Sequence, residues 1–211
     1  MRVLLPARAP ESVARQLACD KADWVRRKLA EFRARTPPER RWVDGETLPW
    51  LGREHPLRVT ASEASAGQDD ARLREGAWLV RLAGNPDGAE RAGRVRAALR
   101  KACVHMAREE LGRRASGQAR RMDVTPSLVG VKSYRSRWGS CHGDGRVYFN
   151  WRIALAPEFV VDYVVTHELC HLVHRNHSPA FRAMVEQWMP EWKAAHAWLR
   201  EHGRRLEALD A

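Results

Sequence analysis

Between Pro157 and Ser178 the chain places three imidazoles and a carboxylate in a segment that otherwise reads as a core helix, and few folds tolerate that combination. Phe159-Val160-Val161-Asp162-Tyr163-Val164-Val165 leads into His167-Glu168-Leu169-Cys170-His171, and Leu172 and Val173 follow. A helix with this pattern is apolar on much of its circumference and belongs inside a protein. Unpaired buried imidazoles and a buried carboxylate are costly there, whereas one metal ion satisfies them together.

Helical geometry assigns the roles. Residues four apart lie one above the other with ~6 Å of rise, so His167 and His171 can point at the same ion. Glu168 sits roughly 100° around the helix from His167. Its carboxylate can reach a water in the site without taking a ligand position, which suits a general base. His174 and His177 compete for the third ligand position. On a continued helix His174 lies ~10 Å of rise from His167, too far to share an ion with bonds of ~2 Å. His177 follows Arg175-Asn176 and precedes Ser178-Pro179. Asn tolerates left-handed angles and Pro suits the first turn of a new helix, so a turn here can fold His177 back onto the metal.

Composition narrows the setting. The 211 residues are enough for a sizeable core. No stretch approaches the ~20 apolar residues of a membrane span. Met1 to Arg8 is too short and too soon charged for a secretory signal, and a cytoplasmic enzyme is the expectation. Cys19, Cys103, Cys141 and Cys170 form no CxxC pair and are expected as reduced thiols. Cys141-His142 offers two good zinc ligands but no accompanying cluster. The net charge of +11 is unevenly spread: residues 91–137 carry 13 Lys and Arg against 3 Asp and Glu, whereas 138–211 carry 8 against 9. The basic stretch is a candidate contact for nucleotides or nucleic acid, although Arg-rich helix faces are commonly just solvated.

Periodicity predicts an amphipathic helix over 10–34, stopped by Thr36-Pro37-Pro38. Strands are predicted over Pro56–Thr60 and Ala77–Leu82, with a polar segment between them and the Gly84–Gly88 loop after them. A long helix from Ala89 to Arg114 follows. Two further strands, Leu128–Tyr134 and Arg146–Ile153, flank a loop at Trp138–Gly145. The metal helix starts after Pro157, and residues 179–202 are helical with a division at Pro190. These elements give an α+β fold: an α/β N-terminal region over 1–88 and a second domain over 89–211.

Ser136-Arg137-Trp138-Gly139-Ser140-Cys141, then Val147-Tyr148-Phe149-Asn150-Trp151-Arg152, then Pro157 with Asp162 to Val165, and finally His167–His171 with Asn176-His177-Ser178 and Phe181, together resemble the YgjP-like metallopeptidases, relatives of the SprT-like and WLM zincin proteins. The resemblance spans about residues 128–200. It implies a zincin-like domain with a small sheet beside the HExxH helix, Zn2+ held by His167, His171 and His177, Glu168 as the catalytic carboxylate, and the Arg137–Cys141 turn near the cleft. Relatives generally carry Trp after the last Phe, where this chain has Arg182.

Three readings follow. The first is peptide-bond hydrolysis of a peptide or protein substrate, with a zinc-activated water and Glu168 as base. The strand Val147–Trp151 then serves as an edge to which an extended peptide adds. The second is hydrolysis of a nucleotide phosphoanhydride, with Lys132, Arg135 and Arg137 of the basic segment holding phosphates. The third is a nucleic-acid-associated module with a structural metal, which requires a fourth protein ligand to close the site.

Overall fold

The computed structural model describes residues 10–35, 40–62, 68–207 and 209. Met1–Arg8, Thr36-Pro37-Pro38 and most of the polar segment between the first two predicted strands lie outside these residues. The chain divides into two compact units, residues 1–38 and 39–211. The sequence places its boundary at 88/89 instead, but there it would separate two strands from the helix that covers them.

The first unit contains α1 (Glu11–Asp20) and α2 (Ala22–Arg35). One continuous helix was expected, and the break falls at Lys21 (φ −99°, ψ 5°). Asp23 lies in the first turn of α2, where a carboxylate complements the positive end of the helix dipole.

The second unit begins with a four-stranded sheet in the order β1-β2-β4-β3, formed by β1 (Thr47–Trp50), β2 (Arg53–Ser62), β3 (Asp70–Arg74) and β4 (Ala77–Ala83). β1 and β2 form a hairpin with Trp50 opposite Arg53. Its two turn residues, Leu51 (φ 50°) and Gly52 (φ 77°), have the paired positive φ of a type I′ turn. A Cβ on Gly52 would lie 2.6 Å from the Cα of Pro157, and Leu51 N–H donates to Ala154 C=O at 2.8 Å. The hairpin tip is thereby docked where the chain enters the metal helix.

α3 runs from Gly88 to Arg121, longer at its C-terminus than predicted. Val95, Leu99, Cys103, Ala107, Leu111, Ala115 and Ala119 are buried along it at a strict four-residue step. Such a stripe turns by ~40° per step around a 3.6-residue helix. Successive parts of α3 therefore face different partners: β3 and β4, the 3₁₀ turn Trp151–Leu155, the metal helix and β5. A charged clamp fixes α3 to the metal helix, α4 (Glu158–Cys170). Arg114 donates to Glu110 at 2.6 Å, to Asp162 at 2.6 Å and to Glu158 at 2.7 Å. These partners hold the guanidinium pKa above its ordinary value despite burial.

The second sheet, β5-β7-β6, lies beside α4 and comprises β5 (Leu128–Lys132), β6 (Gly139–Cys141) and β7 (Arg146–Asn150). The expected α+β architecture, with a small sheet next to the HExxH helix, is present. The placement of the substrate edge is corrected. Strand 146–150 is central, parallel to β5 and antiparallel to β6, so it has no free side for a peptide. β6, predicted as loop, is one of the two edge strands, and β5 is the other. Beyond α4, α5 (Pro179–Trp188) and α6 (Trp192–His202) complete the unit, separated at Pro190 as expected.

Replacing Arg114 with Ala leaves Glu110, whose side chain is 19% exposed, without its buried partner. Urea unfolding is expected to show a loss of about 2 kcal/mol, because Glu110 keeps Arg113 at 2.7 Å and the Glu158 and Asp162 side chains are half exposed. A loss under ~1 kcal/mol would mean that the clamp does not hold α3 to α4.

Candidate metal centre

α4 starts cleanly because Pro157 sits at its N-cap and Glu158 in its first turn. The helix ends at Cys170, and Leu172, Val173 and His174 fold over its end with N–H bonds to Leu169 and Cys170 carbonyls. The chain then turns through Arg175-Asn176 and restarts at α5, where Ser178 accepts from Phe181 N–H at 3.2 Å. That turn carries His177 back over α4.

His167, His171 and His177 converge, with their donor atoms within 4.8 Å of one another. His167 Nε2 and His177 Nε2 are 3.2 Å apart. Two nitrogens each ~2.0–2.1 Å from a tetrahedral ion would be separated by about 3.3 Å, so the pair fits a shared zinc. His171 Nδ1 lies 2.9 Å from the carbonyl oxygen of His174. A carbonyl only accepts, so Nδ1 carries the proton and Nε2 keeps a lone pair that could bind a metal. His174 thus enters through its backbone carbonyl, which positions the His171 ring. Burial, reinforced by the neighbouring imidazoles, lowers the His167 pKa to about 3, which keeps it in the neutral, ligating form. Burial also lowers that of His171. Phe181 braces the cluster: its ring stacks on His171 at 4.4 Å and meets His167 and His177 edge-on at 5.0 and 4.9 Å. The donor set and its spacing fit a divalent ion.

Glu168 is only 7% exposed. Burial raises its pKa to about 8, partly countered by the Arg137 charge. A divalent cation nearby acts against burial and restores the carboxylate. The carboxylate lies against β6: a Cβ on Gly139 would be 2.5 Å from Glu168 Cγ and 2.6 Å from Oε1. The strand containing Gly139 is held from behind by Asn150. Its N–H donates to Trp138 C=O at 2.8 Å, and its side-chain amide donates to Tyr134 and Arg137 carbonyls at 3.0 and 3.1 Å.

These groups line a cleft of ≈ 630 Å³. One wall is the Arg137–Cys141 segment, where the resemblance put it, and the other includes His196, Leu199 and Arg200 of α6. The sequence reading missed the α6 wall, which no local pattern signals. It also missed Tyr163, although its position one turn before His167 places it on the same helix face. Gly139 was legible only as part of a motif; an isolated Gly in a strand is itself a sign of close approach. Of the three residues proposed to hold phosphates, only Arg137 reaches the cleft. Lys132 covers the Tyr148 ring at 3.5 Å and Arg135 lines a separate hollow. Cys141 lines the cleft, whereas His142 is exposed with its ring against Tyr148, and no second metal cluster forms among the described residues.

The YgjP-like metallopeptidase domain family matches residues 1–202 of this sequence. The chain belongs to that family. Among solved structures, the metallopeptidase zymogen of Pyrococcus abyssi abylysin matches at 17% identity and a TM-score of 0.41, covering 44% of this chain and 96% of that one. No curated protein matches. Among the described residues of this YgjP-like chain, no helix is long and apolar enough to cross a membrane.

Two outcomes follow from the geometry. Gly139→Ala is expected to displace Glu168 while leaving the three imidazoles in place, so zinc content stays near wild type and turnover falls at least about a hundredfold. Metal-free protein should also show a defined pH response. Folded Glu168 keeps its proton up to about pH 8, against 4.5 for the ordinary group. The folded state holds the extra proton between these values, so stability is greatest below the lower one and is lost as pH rises through the upper. At about 1.4 kcal/mol per pKa unit the loss is at most ~5 kcal/mol. His167 acts oppositely at the acid end, withdrawing stability as pH falls from 6.5 towards about 3. In chelator, Glu168→Gln should melt roughly 4 °C or more above wild type at pH 9 and lose that advantage at pH 4.

Proposed function

We propose that this chain is a zinc-dependent peptidase in which His167, His171 and His177 hold the ion and Glu168 is the general base. The observation that carries the reading is the three-imidazole convergence beside a buried carboxylate on the rim of an open cleft. A divalent ion at the imidazoles supplies Lewis acidity, polarising a scissile carbonyl and acidifying water. The chain's own residues do the rest. Glu168 accepts the proton of the attacking water and returns it to the leaving amine nitrogen. The His174 carbonyl keeps His171 in its ligating tautomer, and Phe181 fixes the ring orientations. β6 presents a main-chain edge along the cleft on the side away from β7, to which an extended peptide can add.

The rival readings have less support. Lys132 and Arg135 lie away from the cleft, which removes most of the phosphate-binding set that phosphoanhydride hydrolysis requires. Part of the positive charge of 91–137 is committed internally, as in Arg94 with Asp69 at 2.6 Å and Arg114 with its three carboxylates. A structural metal would call for a fourth protein ligand, and the cluster has three donors among the described residues.

The test pairs zinc analysis with assays of a peptide library and a nucleotide panel. Glu168→Gln should retain zinc and lose peptide cleavage by about a hundredfold or more. His177→Ala should lose zinc, while His174→Ala, which keeps the backbone carbonyl, should retain it. Cleavage confined to nucleotides would reject the peptidase reading, and undiminished turnover by Glu168→Gln would remove that residue from the mechanism.

A further inference from the structure

The cleft is unusual in its charge. Arg137, Arg175 and Arg200 line it, and Glu168 is the one carboxylate in its lining. Some arginines elsewhere in this chain are paired with acids, as Arg94 is with Asp69, Arg114 with Glu110, Glu158 and Asp162, and Arg146 with Asp144, while others such as Arg108 are simply exposed. Among the described residues none of the three cleft arginines forms an ion pair, and the Arg137 charge acts on Glu168 without a direct bond. Arg175 spends its fork on neutral acceptors, the carbonyls of His142 and Gly143 at 2.7 and 2.8 Å, so its charge is uncompensated. Arg137 is exposed, with its guanidinium 5.8 Å from the Tyr134 ring centroid. Arg200 is exposed on α6 and makes no hydrogen bond or ion pair among the described residues. A divalent ion at the imidazoles would raise the positive potential further.

Building on the peptidase reading above, we propose that the cleft selects acidic peptides, with Arg137 and Arg200 holding Asp or Glu side chains that flank the scissile bond. Guanidinium forks match carboxylates in charge and in planar geometry. The arginines come from three elements: the segment leading into β6, the turn after α4, and α6. A peptide in the cleft would therefore meet guanidinium groups from both walls. With its backbone against β6, such a peptide would present alternate side chains towards the two walls. Lysine at the same positions would meet like charge, so the arrangement rejects basic peptides as well as favouring acidic ones.

The experiment uses zinc-loaded full-length protein and three fluorogenic peptide sets that differ only in having Glu, Ala or Lys beside the scissile bond. The expected result is kcat/KM higher for Glu than for Lys by about tenfold or more, a ratio that shrinks between about 50 and 300 mM salt. Arg137→Glu/Arg200→Glu should invert the order, whereas Arg108→Glu, on the exposed face of α3, should leave it unchanged. In parallel, fluorescence anisotropy follows binding of the Glu and Lys peptides to Glu168→Gln protein. Peptide cleavage without preference would overturn charge selection and leave the peptidase reading standing. Preferential binding of the Glu peptide without cleavage of any peptide by wild type would reject the peptidase reading and support selection. A preference unaffected by the double charge reversal would overturn the assignment to Arg137 and Arg200.

Discussion

Glu168 occupies a slot that would close if residue 139 carried a side chain. The approach of β6 to α4 is so close that a Cβ at that position would overlap the carboxylate. The rest of the unit maintains this contact. Asn150 ties the strand and the preceding loop together from the β7 side, and Arg114 fastens the other flank of α4 to α3. The Leu51-Gly52 hairpin tip abuts Pro157 at the start of α4. The helix is held on several sides because it carries a buried carboxylate and two imidazoles, which relax only into geometry that the surroundings enforce.

The imidazole cluster follows the same logic at the other end of α4. His167 and His171 come from the helix, but His177 comes from a turn whose path depends on Ser178 capping α5 and on Phe181 packing against all three rings. One aromatic side chain thus contacts all three imidazoles. The His174 carbonyl fixes the tautomer of His171, an outer-layer role that side-chain reasoning does not reveal. Burial holds His167 neutral and, without an ion, holds Glu168 protonated. A divalent ion held by the three imidazoles would oppose the effect of burial and favour the carboxylate form of Glu168.

The charge pattern separates two uses of arginine in one basic chain. In the body of the unit some arginines, Arg94 and Arg114 among them, bridge elements through carboxylates, and there they are structural. Around the cleft arginines face solvent or neutral acceptors, where their field is available to a substrate. Net charge alone cannot make this distinction, because it counts both kinds equally.

The sequence by itself determined the start of α4 after Pro157, the return of the chain at Ser178-Pro179 and the α+β class, and it pointed to the three histidines and the glutamate as the candidate set, because each rests on local spacing and turn chemistry. It favoured His177 over His174 by reach, and the cluster that forms contains His177. It did not show β6, the central position of β7, the break at Lys21 or the α6 wall. A three-residue edge strand has too little periodicity to be seen, and strand order depends on pairings between residues distant along the chain. The placement of Gly139 against Glu168, and of Arg137, Arg175 and Arg200 around one cleft, was decided by packing alone: residues from separate elements meet only after α3, α4, α6 and the small sheet have closed around a common core.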